Sequence, residues 1–261
     1  MSAEKAVAVV LRAVDFSESS SVVTLFTREF GKLSALAKGA RRPKGPFESA
    51  LDLLALCRVV FLRKSPGTLD LLTEAKLERR FRPAAGELPR LYAAYYIAEL
   101  LTDLTDEHDP HPELFDLAEE TLLTLARVQR GSPAAWILRF ELGLLRVLGH
   151  LPSLGACAEC GESPEPAARV TFSLAAGGVL CAKCRAGQRQ LISVHVATPA
   201  TLDLFAKSSD AAAPRGTSDD WRDWTVPAAQ RGEIRGIMNQ YLANLLGKRP
   251  RLHDYLTLVT H

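Results

Sequence analysis

The sequence predicts an α+β protein: an N-terminal five-stranded barrel, then a mostly α-helical domain with an inserted four-cysteine module. Three observations carry this. Up to about Phe81 the apolar residues come in short alternating runs, the period of strands. After "RPAAGELP" they recur at spacings of three and four, the period of helices. Two Cys-x2-Cys units, "CAECG" at Cys157–Gly161 and "CAKCR" at Cys181–Arg185, stand with twenty residues between Cys160 and Cys181. The expected divisions are 1–83 for the barrel and 84–261 for the helical domain, with the cysteine module at about 152–195.

Five strands are expected in the first part: Val7, Val9 and Leu11; Val23, Leu25 and Phe26; Leu33, Ala35 and Ala37; Leu54, Leu56, Val60 and Leu62; Leu69 and Leu71. "EFGKL" has the glycine of a tight hairpin turn, and "KSPGT" gives a second turn through its Pro and Gly. Closing five short strands into a barrel removes their exposed edges, and the OB-fold is the commonest such barrel that also binds oligonucleotides. An SH3-like barrel fits the same pattern.

Leu91, Tyr95, Ala98 and Leu101 predict the first helix, and Leu114, Leu117, Ala118, Thr121, Leu122 and Leu125 the second. A third starts at "GSP", where Ser132 can cap and Pro133 can take the first helical position, and it ends at Gly149. Ile137, Phe140, Leu144 and Leu148 form its apolar set, a core face rather than a cofactor box. The polar "SSDAAAPRGTSDD" predicts a mobile loop. A last helix is expected from about Pro227 to Leu246, with Gly247 as its stop.

Composition narrows the function. At 47% hydrophobic residues the chain can bury a core, but no run of about 18 uncharged apolar residues exists, and "AVAVVL" is cut short by Arg12. Neither a membrane span nor a signal peptide is expected, which points to the cytoplasm. The net charge of +2 hides an asymmetry: residues 1–83 carry 15 Lys and Arg against 9 Asp and Glu, the remainder 17 against 21. A basic front end suits an anionic partner, although a solvated surface would look the same.

Five cysteines, four of them in paired CxxC units, favour metal over disulfides in a reducing compartment. Two such turns brought together complete a tetrahedral shell with no open position, so one structural Zn²⁺ per chain is expected on Cys157, Cys160, Cys181 and Cys184. Gly161, Gly177 and Gly178 supply tight backbone there. A zinc deaminase would need H-x-E with P-C-x-x-C; "HPE" at His111–Glu113 is present, but Ala156 stands where the proline belongs and the second CxxC would be idle. Neither CxxC follows a strand of a parallel sheet, as a thioredoxin-like redox pair would. No Gly-rich phosphate loop, HExxH or GxSxG occurs. Cys57, within an apolar strand, is expected to be a small buried hydrophobe.

The basic surplus concentrates in "KGARRPKGPF", where Lys38, Arg41, Arg42 and Lys44 fall in a Gly- and Pro-rich loop. Arg forks and Lys charges there would neutralise phosphates without reading bases. Phe47 could add a stacking surface but is expected to pack inward. On the residues alone, a zinc-ribbon scaffold with a basic barrel for RNA is the alternative to a DNA-binding protein.

"ESSSVVTLFTREFGKLSALAKGARRPKGPFESAL", "LRFELGLLRVLGHLPSLGACAECG" and "LLGKRPRLHDYL" together resemble the bacterial RecO family of DNA repair and recombination mediators. The resemblance runs from about Val7 to Tyr255. It implies an OB-fold, a helical domain and an inserted zinc module, in a non-enzymatic protein that binds single- and double-stranded DNA and anneals complementary strands. With RecR, such a protein helps load RecA onto DNA covered by single-stranded-DNA-binding protein, with RecF and the RecA filament as indirect partners at the nucleoid. Carried onto this chain, the DNA-binding face is Lys38, Arg41, Arg42 and Lys44, with Lys32 and Arg12 as further candidates. The acidic, hydrophobic tail of single-stranded-DNA-binding protein would meet the helical domain, with Arg139 and Arg146 as candidate partners.

Overall fold

β1 (Ala3–Asp15), β2 (Ser21–Thr27), β3 (Gly31–Ala37), β4 (Leu56–Leu62) and β5 (Asp70–Arg79) close into a barrel in the order β1-β2-β3-β5-β4. β1 pairs with β4 to shut it, and all neighbours are antiparallel except β3 and β5. This is the OB-fold connection and not an SH3-like one. The computed structural model describes residues 3–42, 47, 50–65, 67–83, 87–127, 131–165, 167–209 and 221–258. Lys44 and most of the polar stretch, residues 210–220, lie outside them. Two compact units divide the chain, 1–127 and 128–261.

Ala8, Val10, Val23, Leu25, Leu33, Ala35, Cys57, Val59, Phe61 and Leu72 fill the barrel, and Phe47 closes it as expected. Cys57 is fully buried, and burial pushes its thiol pKa up to about 12, so it is an inert core residue. In β1 and β4 the inward face is the reverse of the residues that mark those strands in the sequence: Ala6, Ala8 and Val10, and Cys57, Val59 and Phe61, point in. Two helices explain the reversal. α1 (Leu88–Leu104) and α2 (Pro112–Arg127) belong to the barrel's own unit. Val9, Leu54 and Leu56 on the barrel's outer side share a crevice with Leu122 and Leu123 of α2. A strand buried on both faces loses the alternation that marks its interior.

The same packing fixes the hairpin "EFGKL". Gly31 has φ +68°, and a Cβ there would fall 2.0 Å from the carbonyl oxygen of Asp109 in the α1–α2 loop. Phe26 stacks on Phe115 at 6.1 Å between centroids. Arg28 donates two bonds to the Asp116 carboxylate, at 2.8 and 3.0 Å.

The second unit is built on α3 (Pro133–Val147), whose residues from Ala135 to Leu145 are all buried. Ser132 takes the N-cap position without a side-chain cap bond. Glu141, 0% exposed, accepts a hydrogen bond from Arg235 at 2.7 Å, from α5 (Arg231–Leu246). α5 starts later than expected because Ala228–Gln230 form a 3-10 turn, and it ends at Gly247 in the left-handed conformation. Between them lie a small sheet in the order β7-β6-β8 (β6 Arg169–Ser173, β7 Gly178–Leu180, β8 Leu191–His195) and α4 (Ala197–Ser208). Ser208 closes α4, so the polar stretch expected to be loop begins inside a helix. Among the described residues no helix is long and apolar enough to cross a membrane.

Candidate metal centre and nucleic-acid interface

Cys157 and Cys160 sit on one turn, and Cys181 and Cys184 on another that directly follows β7. Backbone bonds hold the first turn in place: Gly161 N donates to Cys157 O at 2.9 Å, and Ala158 N to Val179 O of β7 at 2.8 Å. Val179 N in turn donates to Ser153 O at 2.9 Å. Gly178 permits this approach, since a Cβ there would lie 2.4 Å from Ser153 O. The four sulfurs consequently lie within 4.8 Å of one another.

A tetrahedral thiolate shell with metal–sulfur bonds of about 2.3 Å requires sulfur–sulfur edges of about 3.8 Å. Cys160 Sγ and Cys181 Sγ are 3.8 Å apart, so the donor set fits such an ion with all four positions filled by protein. The electrostatics agree. Backbone N–H groups of Cys160 and then Cys181 pull the Cys157 pKa down to about 6, while hydrogen bonding to Cys181, burial and the neighbouring sulfurs push Cys184 up to about 12. Four sulfurs this close cannot all ionise unless a cation sits among them.

The basic face lies on the barrel. β3 leads into a turn in which Arg42 N donates to Gly39 O at 3.0 Å, and the β1–β2 turn packs beside it. Lys38, Arg42, Leu36, Phe16 and the serines Ser17, Ser19 and Ser20 line one groove of about 380 Å³. Lys38 and Arg42 are exposed, and among the described residues neither side chain has a hydrogen bond or ion pair. Arg12, exposed, is paired with Thr24, next to Ser34 across the outer face of the sheet. Arg41 is a brace as well as a cation. Its guanidinium reaches Asp15 at 3.1 Å and Ser17 O at 3.4 Å, and its backbone N donates to Ser19 O at 3.2 Å. It therefore ties the two turns together.

Lys32 is elsewhere. Its ammonium is half-buried and donates to the carbonyls of Thr102, at 2.6 Å, and Thr105, so it caps the C-terminal end of α1. Burial lowers its pKa against the pull of Glu107, Asp106 and Asp103. Strand alternation puts Lys32 outward, and a helix end from seventy residues on takes its charge, so a DNA contact by Lys32 would have to draw the ammonium off that cap. Arg139 departs from a surface charge in the same way. It is only 7% exposed, donates to Ser208 O at 3.1 Å and stacks 3.9 Å from the ring of Trp221. Arg146 donates to Ser209 O at 3.0 Å, so both arginines cap α4. Phe16 is the groove residue that the sequence pattern misses; a single aromatic in "VDFSESS" carries no periodic signal, and only its polar surroundings mark it.

Residues 1–81 match the family model described as Recombination protein O N terminal, and residues 85–253 the model described as Recombination protein O C terminal. The DNA repair protein RecO of Rhodopirellula baltica is 43% identical over 268 residues, covering 95% of this chain and 97% of its own. Its namesake in Anaeromyxobacter dehalogenans is 37% identical, covering 98% and 96%, and that of Myxococcus xanthus 34%, covering 97% and 96%. With both family models matched across nearly the whole chain, an OB barrel in one unit and a four-cysteine cluster in the other, the chain belongs to the RecO family of DNA repair proteins.

Proposed function

We propose that this chain is a recombination mediator. It binds single- and double-stranded DNA, anneals complementary strands and, with RecR, helps load RecA onto DNA covered by single-stranded-DNA-binding protein, at the nucleoid of a bacterial cytoplasm. The supporting observation is the exposed cationic groove of the OB barrel in a chain of this family: Lys38 and Arg42 line it, Arg41 braces it and Arg12 lies on the adjoining sheet face. Lys44 belongs to the same sequence cluster. Cations on exposed turns neutralise phosphates and leave base sequence unread, which suits a protein that must act on any strand. Its work is then binding and pairing, without turnover of a substrate.

Cys157, Cys160, Cys181 and Cys184 hold one Zn²⁺, which fixes the ribbon and offers no open position for chemistry. The tail of single-stranded-DNA-binding protein meets the helical domain; if it uses Arg139 and Arg146, it must exchange with the α4 carbonyls. RNA would satisfy the same cations, and the family's place in DNA repair favours DNA. The test is the RecA ATPase lag on strands covered by single-stranded-DNA-binding protein. Adding this chain with RecR shortens the lag, and either alone does not; an unchanged lag with both present rejects the mediator role.

A further inference from the structure

We propose that Phe16 is a base-stacking platform that makes the groove prefer unpaired strands, an inference that rests on the nucleic-acid reading above. Phe16 is 66% exposed, the highest exposure among the large apolar residues of the described chain, and Val14 beside it is 42% exposed. An aromatic ring left in water costs hydrophobic free energy unless something flat and apolar covers it. The turn that carries it is tied: Phe16 N donates to Ser20 O at 2.9 Å, Ser17 N to the same oxygen at 3.1 Å, and Ser20 N to Ser17 Oγ at 3.2 Å. Arg41 fastens this turn from the other side. The ring is therefore presented on a braced support, in the groove that also holds Lys38 and Arg42.

A flat apolar surface next to cations fits an occupant with an anionic backbone and exposed π-faces, namely single-stranded nucleic acid. Every base has such a face, so stacking adds affinity without sequence preference. A duplex keeps its bases stacked on one another and offers the groove only phosphates. Phe16 thus distinguishes the two forms, while the cations serve both.

The test compares the wild-type chain with Phe16→Ala and Phe16→Trp on three probes: a thymidine oligomer, an abasic oligomer with the same sugar-phosphate backbone, and a duplex. Phe16→Ala should weaken binding to the thymidine oligomer by about 5- to 150-fold, the range for losing one base–aromatic stack. It should leave the salt slope, the abasic oligomer and the duplex unchanged, and Phe16→Trp should bind like wild type. An equal loss on all three probes would mean that Phe16 only supports the turn, and no loss on any would mean that nothing stacks on it; either overturns the proposal. If Lys38→Ala with Arg42→Ala weakens all three probes while Phe16→Ala weakens none, this inference fails and the nucleic-acid reading stands. If the wild-type chain binds none of the probes, both fail.

Discussion

Replacing Lys38 and Arg42 together by Ala removes two exposed cations from the groove without touching the bonds that brace it, which run through Arg41 and the β1–β2 turn. For a single strand, log affinity falls with log salt by about 0.7 per neutralised phosphate, so the double variant should have a slope shallower by about 1.4. At about 0.1 M salt that is a loss of about 25-fold, at about 0.2 M about 10-fold, and near 1 M almost none. Fluorescence anisotropy on labelled oligomers over a salt series reads both slope and intercept. The loss should be the same for different sequences, since the contacts go to phosphates. Circular dichroism should not change. A wild-type slope in the double variant would refute the assignment and direct attention to Lys248, Arg249 and Arg251, the next basic cluster, where Arg249 already pairs with Asp254.

Purified protein should carry one zinc per chain by elemental analysis, and Cys181→Ser should open residues near 150–195 to protease while leaving the barrel resistant; a folded protein without zinc and with four reactive thiols rejects the site. Arg235→Ala leaves the fully buried Glu141 without its α5 partner and should cost about 3–5 kcal/mol in urea unfolding; a loss below about 1 kcal/mol would mean the pair behaves like a surface one. Glu233 joins β8 and α4 to α5, and although burial opposes its ionisation, the His195 N–H, the Thr198 hydroxyl and Arg169 together hold its pKa below 4.5. A lowered carboxyl pKa gives stability that is present above 4.5 and lost as pH falls through the folded value, so Glu233→Gln should be less stable than wild type at neutral pH and converge with it in acid; a constant gap rejects the linkage.

The legible parts of this molecule are those whose cause is local. Alternation placed the five strands, Gly31 marked the hairpin, and the CxxC spacing brought four sulfurs together. What escaped is what a distant segment decides. The inward faces of β1 and β4 were hidden because α2 buries Val9 and Leu56 from outside. α4 went unseen because Pro199 stands in its first turn and no side chain caps its start, leaving only Leu202, Phe205 and Ala206 to carry the helical spacing. Lys32 and Arg139 look like free cations in the sequence, yet helix ends brought near by folding claim both. Arg41 keeps its place at the groove but shares its charge with Asp15, which no spacing foretells.

Annealing is the measurement closest to the central claim. Complementary strands, each covered by single-stranded-DNA-binding protein, anneal slowly; the wild-type chain should accelerate their pairing, and the Lys38→Ala, Arg42→Ala variant should do so less, most visibly at low salt. Acceleration absent with the wild-type chain, or equal in the variant across the whole salt series, would contradict the account.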